Sequence, residues 1–435
     1  MTFFLTIIFV ILVFLRPQEW LIPWMYGWPA LDVITLGAII SLAFETTQSQ
    51  KKMPKTPSVV LAFGLFVASI MSHVAHGYFQ GVLDTIPETF KPCFFLVLLL
   101  VVINSVQRLR WVMFVFLANA CIMSVHAILQ DQTGFGFAGD PPYIYKYPDG
   151  RLITQSIFFG IFSDPNDLGQ FLATCIPLVF ALPKRLTFFT IILSAGVILL
   201  LTNAMLATHS RGTLVGVIAS LAIILLMALP GKWVPYLAVL GLIGGLVVCA
   251  HWGGILLDES ARDRVIFWGN ANQYFKSHLL FGGGYGMFGD ITGTSRPAHN
   301  AYVCCYTELG LFGYWFWFNL LTIGIIGCWR TRIALYRTRK PEQAYIKRVA
   351  GLAIAAIVGF ASSSYFLSRS YAFPLFFLFA ILACIPVLAQ RYLDEDHPPL
   401  INWKKDVIFI GTVVCLLSVV YIYISILLLN RINMD

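Results

Sequence analysis

"PCFFLVLLLVVINSVQRLRWVMFVFLANACIMSVHAIL", residues 92–129, is two apolar runs with one short polar interruption. The runs, read as 90–105 and 111–129, approach the stretch of about 20 apolar residues that a bilayer crossing needs. Between them "QRLR" (107–110) carries two arginines, the composition that the positive-inside rule gives to a cytoplasmic loop. The stretch reads as a transmembrane hairpin.

The same pattern recurs along the whole chain. Further spans are read at 3–15, 31–47, 57–73, 157–182, 187–204, 212–229, 234–252, 301–329, 348–366, 372–390 and 406–428. Because the first is short, the expected total is about 12–13 crossings. The fold class is therefore an all-α polytopic membrane protein, read as a single integral membrane domain over 1–435. Composition agrees: 58% of residues are hydrophobic and 11% charged, against roughly a quarter charged in a soluble domain. The opening "MTFFLTIIFVILVFLRPQEW" has neither a basic n-region nor a small-residue cleavage site, so it reads as a retained span.

Charge gives the orientation. With a cytoplasmic N-terminus, the basic segments 50–55, 107–110, 183–185, 330–348 and 390–406 all fall inside, and only the terminal "NRINMD" disobeys. The net charge of +8 is concentrated in "RTRIALYRTRKPEQAYIKR" (330–348) and speaks for topology rather than for nucleic acid. The outer side receives 130–156, 205–211, 367–371 and a large loop, 253–300. No Walker A or strand-to-helix GxGxxG motif is present, so nucleotide-driven chemistry is not expected. All nine cysteines fall in spans without a CxxC pair, and His73 and His76 have no evident third ligand. No metal and no other cofactor are expected.

What the positive-inside rule leaves unexplained is an outer set of arginines: Arg151, Arg211, Arg262, Arg264, Arg296 and Arg369, with Arg16 near the interface. In "ATHSRGTLVG" (207–216), Ser210 suits a helix cap. Arg211 does not suit that position, because a cation opposes the positive end of the helix dipole. An anion docked there would use both the dipole and the guanidinium. "FSDPNDLGQFL" (162–172) reads as a helix start, with Ser163 or Asp164 as cap and Pro165 first in the helix. Asn166 and Asp167 then stand at its outer end. "RVIFW" (264–268) opens an amphipathic stretch compatible with a helix lying on the membrane surface, and "FGGGYGMFG" (281–289) follows as a glycine-rich turn.

"SRPAHNAYVCCYTELGLFG" (295–313) sets His299 and Asn300 at the outer mouth of a span. The ordinary imidazole pKa suits proton transfer near neutral pH. Glu308 lies about 12 Å deeper along the helix, and a buried carboxylate there calls for a partner, an outer arginine being the natural one.

These motifs, in this order, resemble the O-antigen ligase and O-antigen polymerase superfamily of bacterial membrane glycosyltransferases, over roughly 155–330. The resemblance implies a GT-C-like helical fold in the inner membrane, with a periplasmic loop region carrying short helices. It implies an undecaprenyl-pyrophosphate-linked glycan donor, a glycan or lipid acceptor such as lipid A–core, and metal-independent, inverting transfer. By position, Arg211 and Arg264 would bind pyrophosphate, His299 would serve the acceptor hydroxyl or the leaving group, and Glu308 would orient the site from below. Arg262, Arg296, Asn300, Tyr302, Asn166 and Arg151 are further candidates for substrate binding. Two other activities fit the sequence: a polymerase joining lipid-linked repeat units, and a transporter whose arginines line an anion path. The clustering of the unexplained arginines on one side favours an enzyme.

Overall fold

The structure is a computed structural model that describes residues 1–49, 54–146, 150–229, 236–237, 239–241, 243, 259–294, 298–337 and 340–434. Its helices are α1 (Thr2–Phe14), the short α2 (Pro17–Trp20), α3 (Ala30–Ser49), α4 (Pro57–Val74), α5 (Phe79–Val102), α6 (Val106–Thr133), α7 (Pro165–Val179), α8 (Phe188–Ala207) and α9 (Arg211–Leu226). They continue with α10 (Glu259–Ser277), the short α11 (Phe288–Thr292), α12 (Ala301–Ala334), α13 (Pro341–Ser363), α14 (Phe373–Gln390) and α15 (Thr412–Met434). The last is entered through π-helical turns at Trp403–Gly411. Among the described residues, nine helical segments are long and apolar enough to cross a membrane, and Thr2–Phe14 and Arg211–Leu226 are shorter apolar helices. The fold is all-α and polytopic. The expected span at 234–252 lies largely outside the described residues.

Two boundaries differ from the sequence reading for local reasons. The expected span 157–182 contains only α7, Pro165–Val179, about 22 Å at 1.5 Å per residue. Asp164 caps it and Pro165 occupies its first position, so the preceding apolar residues are diverted into a 3-10 turn at Gly160–Phe162. The "QRLR" segment is not a loop: Ser105 accepts from Arg108 N and starts α6, so both arginines ride its first turns. A two-stranded hairpin, β1 (Tyr143–Lys146) against β2 (Leu152–Gln155), stands in the segment 130–156.

The basic segments assigned to one side do meet at one end of the bundle. Arg110 Nε donates to Leu182 O at 3.1 Å, and Arg391 Nη1 to Asn104 O at 2.6 Å. Arg348 reaches the Pro183 carbonyl. Arg330 makes a bidentate pair with Asp406, both contacts at 2.6 Å. The opposite end collects the other set: Gln155 Nε2 donates to Thr208 O, Ser156 N to Ala207 O, Ala301 N to Ser364 O and His76 Nε2 bonds Gly282 O. That end carries the candidate site.

Between the ends the bundle is packed by aromatic rings and by small residues. Phe116 stacks on Phe377 at 3.8 Å, with Phe14 and Phe171 edge-on or offset around them. α9 and α13 approach closely along Gly216, Ser220, Gly359 and Ser363, where a Cβ at Gly216 would stand 2.9 Å from Gly359 O. Helix association in lipid relies on such small residues, since lipid tails are as apolar as the side chains they would exclude.

α12 is not one continuous helix. Gly310 has φ 63° and ψ −170° inside it, a region open essentially to glycine alone. The break frees backbone groups, and the glycine-rich turn takes them up. Gly283 N and Gly284 N donate to Thr307 O and Glu308 O, both at 2.9 Å; Leu311 N and Phe312 N donate to Leu279 O and Leu280 O at 2.7 and 3.0 Å. Irregular backbone at membrane depth is tolerated only where protein satisfies it in this way. Gly282 and Gly284, at φ 67° and 111°, supply the left-handed turns that let the loop lie flat on the break.

Candidate active site

Two motifs share one local geometry. His209 (φ 51°) and His299 (φ 46°) are both left-handed residues, and each directly precedes the cap position of a helix, Ser210 before α9 and Asn300 before α12. A non-glycine residue there costs roughly 1–3 kcal/mol and persists only where its surroundings hold it. For His299 the hold is its own N–H, donated to the Ser368 hydroxyl. Asn300 Oδ1 then accepts from Tyr302 N and Val303 N at 3.1 and 3.0 Å. The backbone of His299 is thereby fixed at the mouth of α12.

Ser210 does not act as a side-chain cap. Its hydroxyl turns away and donates to Asn166 Oδ1 at 2.7 Å, while Asn166 N is held by Asp164 Oδ1 at 2.8 Å. That bond ties the start of α9, and with it Arg211, to the start of α7. Gly212 sets the same turn against Phe366, where a Cβ would lie 3.1 Å from Phe366 Cβ. Asn166, Arg211 and the 364–372 segment therefore meet.

α10 is drawn in from the other flank. Its buried face carries Val265, Trp268, Ala271 and Phe275 and packs on α12 and α15, so it rests on protein rather than on the membrane surface alone. The Trp268 indole donates to Ala298 O at 2.5 Å, next to His299. Arg264 stands one helical turn before Trp268 on the same face of α10. Arg262 and Arg151 are exposed, the latter at the foot of β2. Arg296 lies outside the described residues. The Tyr302 hydroxyl donates to Ala361 O at 2.7 Å, which commits it to packing α12 on α13.

Glu308 is buried, and the expected arginine partner is not there. Its carboxylate is faced by the backbone N–H groups of Gly286 and Phe288, the Cys304 thiol and the Tyr371 hydroxyl. No described arginine is among these groups. The glycine-rich loop supplies donors without a second charge because its backbone lies directly on the helix break. Glu308 thus braces the loop, not an arginine.

Arg369, another outer arginine, pairs with the buried Asp167. Burial opposes the charge on Arg369, and the Asp167 hydrogen bond and carboxylate more than offset it, so its pKa is raised. Together they wall a cavity of about 260 Å³ whose other lining includes Ser368, Tyr285, Tyr371 and Phe171. Burial pushes the Tyr285 and Tyr371 phenols up, helped for both by the nearby Glu308 charge. Both remain neutral hydroxyls at any physiological pH. Ser368, the residue holding His299, is part of this wall.

Against known families, residues 195–318 match the family model for O-antigen ligase. Over that segment the chain is similar to the O-antigen ligase and polymerase superfamily. No curated protein matches the chain. The O-antigen ligase segment runs from within α8 to within α12 and contains Arg211, Arg262, Arg264, His299, Asn300, Tyr302 and Glu308. It is narrower than the resemblance read from the sequence, and leaves Asn166 and the "DPND" start of α7 outside. The chain is accordingly a multi-pass membrane protein that carries a segment similar to O-antigen ligase. Tyr285, Ser368 and Tyr371 escaped the sequence reading because a hydroxyl on an apolar chain carries no signal of its own. Arg369 did carry one, as an arginine on the side where arginine is depleted.

Proposed function

We propose that the chain is a single membrane-embedded glycosyltransferase that moves a glycan from undecaprenyl pyrophosphate to an acceptor hydroxyl, on lipid A–core or another acceptor, at the periplasmic face of the inner membrane. One observation carries this reading: the segment similar to O-antigen ligase holds Arg211, Arg264 and His299, and α9 through Gly212, α10 through Trp268 and the mouth of α12 through His299 N each touch the 364–372 segment.

The acceptor oxygen attacks the anomeric carbon of the donor from the face opposite the phosphate, with inversion. The bond from that carbon to the phosphate oxygen breaks, and both its electrons leave with the pyrophosphate. Arg211 and Arg264 receive the charge that develops, in the bidentate geometry that guanidinium offers and ammonium does not. The start of α9 adds its dipole to the same charge. His299 takes the acceptor proton. Its contribution as a general base is about 10²–10⁴-fold, and loss of one guanidinium costs a comparable about 10²–10³-fold. Asn166 ties the start of α9 to α7 and Asn300 caps α12, while Arg262, Arg296 and Arg151 attract the anionic carrier.

Transfer of a finished chain and polymerisation of repeat units use this same chemistry. The glycan profile of a deletion strain separates them. Long chains retained on the carrier identify a ligase, single repeats identify a polymerase, and an unaltered profile contradicts both.

A further inference from the structure

The cavity beside His299 differs in charge from the arginine set around it. Its guanidinium, Arg369, is already paired with Asp167, and Asp164 adds a second carboxylate to the field at Arg369. The wall's one lining guanidinium is thus already committed to a carboxylate, so the wall offers a pyrophosphate no uncompensated positive charge. What such a wall recognises is a neutral molecule rich in hydroxyls, since carboxylate accepts and guanidinium donates in fixed directions. Ser368 adds a group that does either.

The rest of the lining is mostly apolar and largely aromatic, with Gln170 among it. Tyr285 and Tyr371 lie 4.8 Å apart with planes inclined at 42°, and Phe171 closes the inner side. A pyranose presents an apolar C–H face and an equatorial rim of hydroxyls, which suits a pocket with one apolar and one polar wall. Size sets the limit. At about 260 Å³ the cavity falls just below the roughly 300–1,000 Å³ of sites for drug-sized ligands, which leaves room for one ring and not for an oligosaccharide.

We propose that this cavity is a subsite for a single sugar ring, with the Asp167–Arg369 pair as its polar wall and Tyr285 and Tyr371 as its apolar one. The inference rests on the glycan-transfer reading for the identity of the ring, which is either the reacting end of the donor glycan or the terminal residue of the acceptor. Because Ser368 both lines the cavity and holds His299, a ring seated there is registered against the residue that handles the proton. Asp167 and Arg369 are on this account specificity-determining residues: they choose the sugar rather than stabilise the leaving group.

The test uses the full chain in nanodiscs and two soluble probes, the terminal sugar of the donor repeat and that of the acceptor, each as its methyl glycoside. Saturation-transfer NMR titrations are run on wild type, Asp167→Asn and Ala372→Leu. The second variant adds volume at a lining residue without touching the ion pair, and so stands in if the first fails to fold. One glycoside is expected to bind wild type and to weaken about 10-fold or more in both variants, as loss of a charge-assisted hydrogen bond predicts. Whichever glycoside responds names the source of the ring. Undecaprenyl pyrophosphate without glycan is expected to bind all three proteins alike. Failure of both glycosides to bind wild type, unchanged affinities in the variants, or a tenfold loss confined to undecaprenyl pyrophosphate would each overturn the subsite. Glycoside binding that follows the prediction in a chain that transfers nothing contradicts the glycan-transfer reading and leaves the subsite standing.

Discussion

Gly310→Ala tests the link between the helix break and the site. At φ 63° and ψ −170° an alanine is strained by about 1–3 kcal/mol. Its Cβ would also run into the Leu280 carbonyl, so the 279–284 segment must move off α12. That movement breaks the bonds from Leu311 N to Leu279 O (2.7 Å) and from Phe312 N to Leu280 O (3.0 Å). Each buried group left unpaired costs about 1–3 kcal/mol, so the total loss is at least about 3 kcal/mol. Cys304 and Cys305, 8% and 0% exposed, lie just before the break and report on it. A thiol-reactive fluorogenic dye should label Gly310→Ala at a midpoint well below that of wild type and with a faster rate in the cold. The control is Gly196→Ala, where a Cβ meets nothing within 4 Å. Mid-helix glycine is worse than alanine by roughly 0.5–1 kcal/mol, so this change is expected to be neutral or mildly stabilising. Wild-type labelling and melting in Gly310→Ala would refute the claim that the break is held by glycine geometry and by the loop.

Two further outcomes follow from the same reasoning. Asp406→Asn leaves Arg330 without its carboxylate and weakens the acceptor for Asn402 N at 2.6 Å; it should cost about 3 kcal/mol, the lower end of the range for a broken buried pair, because Arg330 keeps 30% exposure, and a thermal melt in detergent reads it. Trp268→Phe deletes the bond to Ala298 O at 2.5 Å while keeping the ring on Tyr365; kcat should fall about 10-fold, at the energy of one buried hydrogen bond, with a smaller change in KM, and equal loss in both would mean that Trp268 contributes to binding rather than to the placement of His299.

Much of this was legible in the sequence, for reasons visible at particular residues. Hydropathy and the Lys/Arg bias sort segments by side, and the contacts of Arg110 with Leu182 and of Arg391 with Asn104 bear out that sorting. The Asp164–Pro165 start of α7 is local chemistry and was readable as such. Glu308 shows where local reading ends. That it would be buried and partnered followed from its depth, but its partners come from the glycine-rich loop through a helix break that no hydrophobic periodicity announces. The pairing of Asp167 with Arg369 joins residues 202 positions apart, and only the folded bundle brings them to one wall. The truncated span at 157–182 was misjudged because "FFGIF" is apolar enough to pass for helix, although the cap at Asp164 makes the helix begin after it.

The most direct test of the central claim is glycan transfer by the purified chain, followed as release of undecaprenyl pyrophosphate from a lipid-linked glycan when acceptor is added. Wild type is expected to release it only with acceptor present. Arg211→Lys and Arg264→Lys should each lose about 10²-fold or more in kcat with unaltered melting, because charge is kept and bidentate geometry is not. His299→Ala should stop turnover while donor still binds. Wild-type rates in both lysine variants, or no release from wild type with any acceptor, would contradict the account.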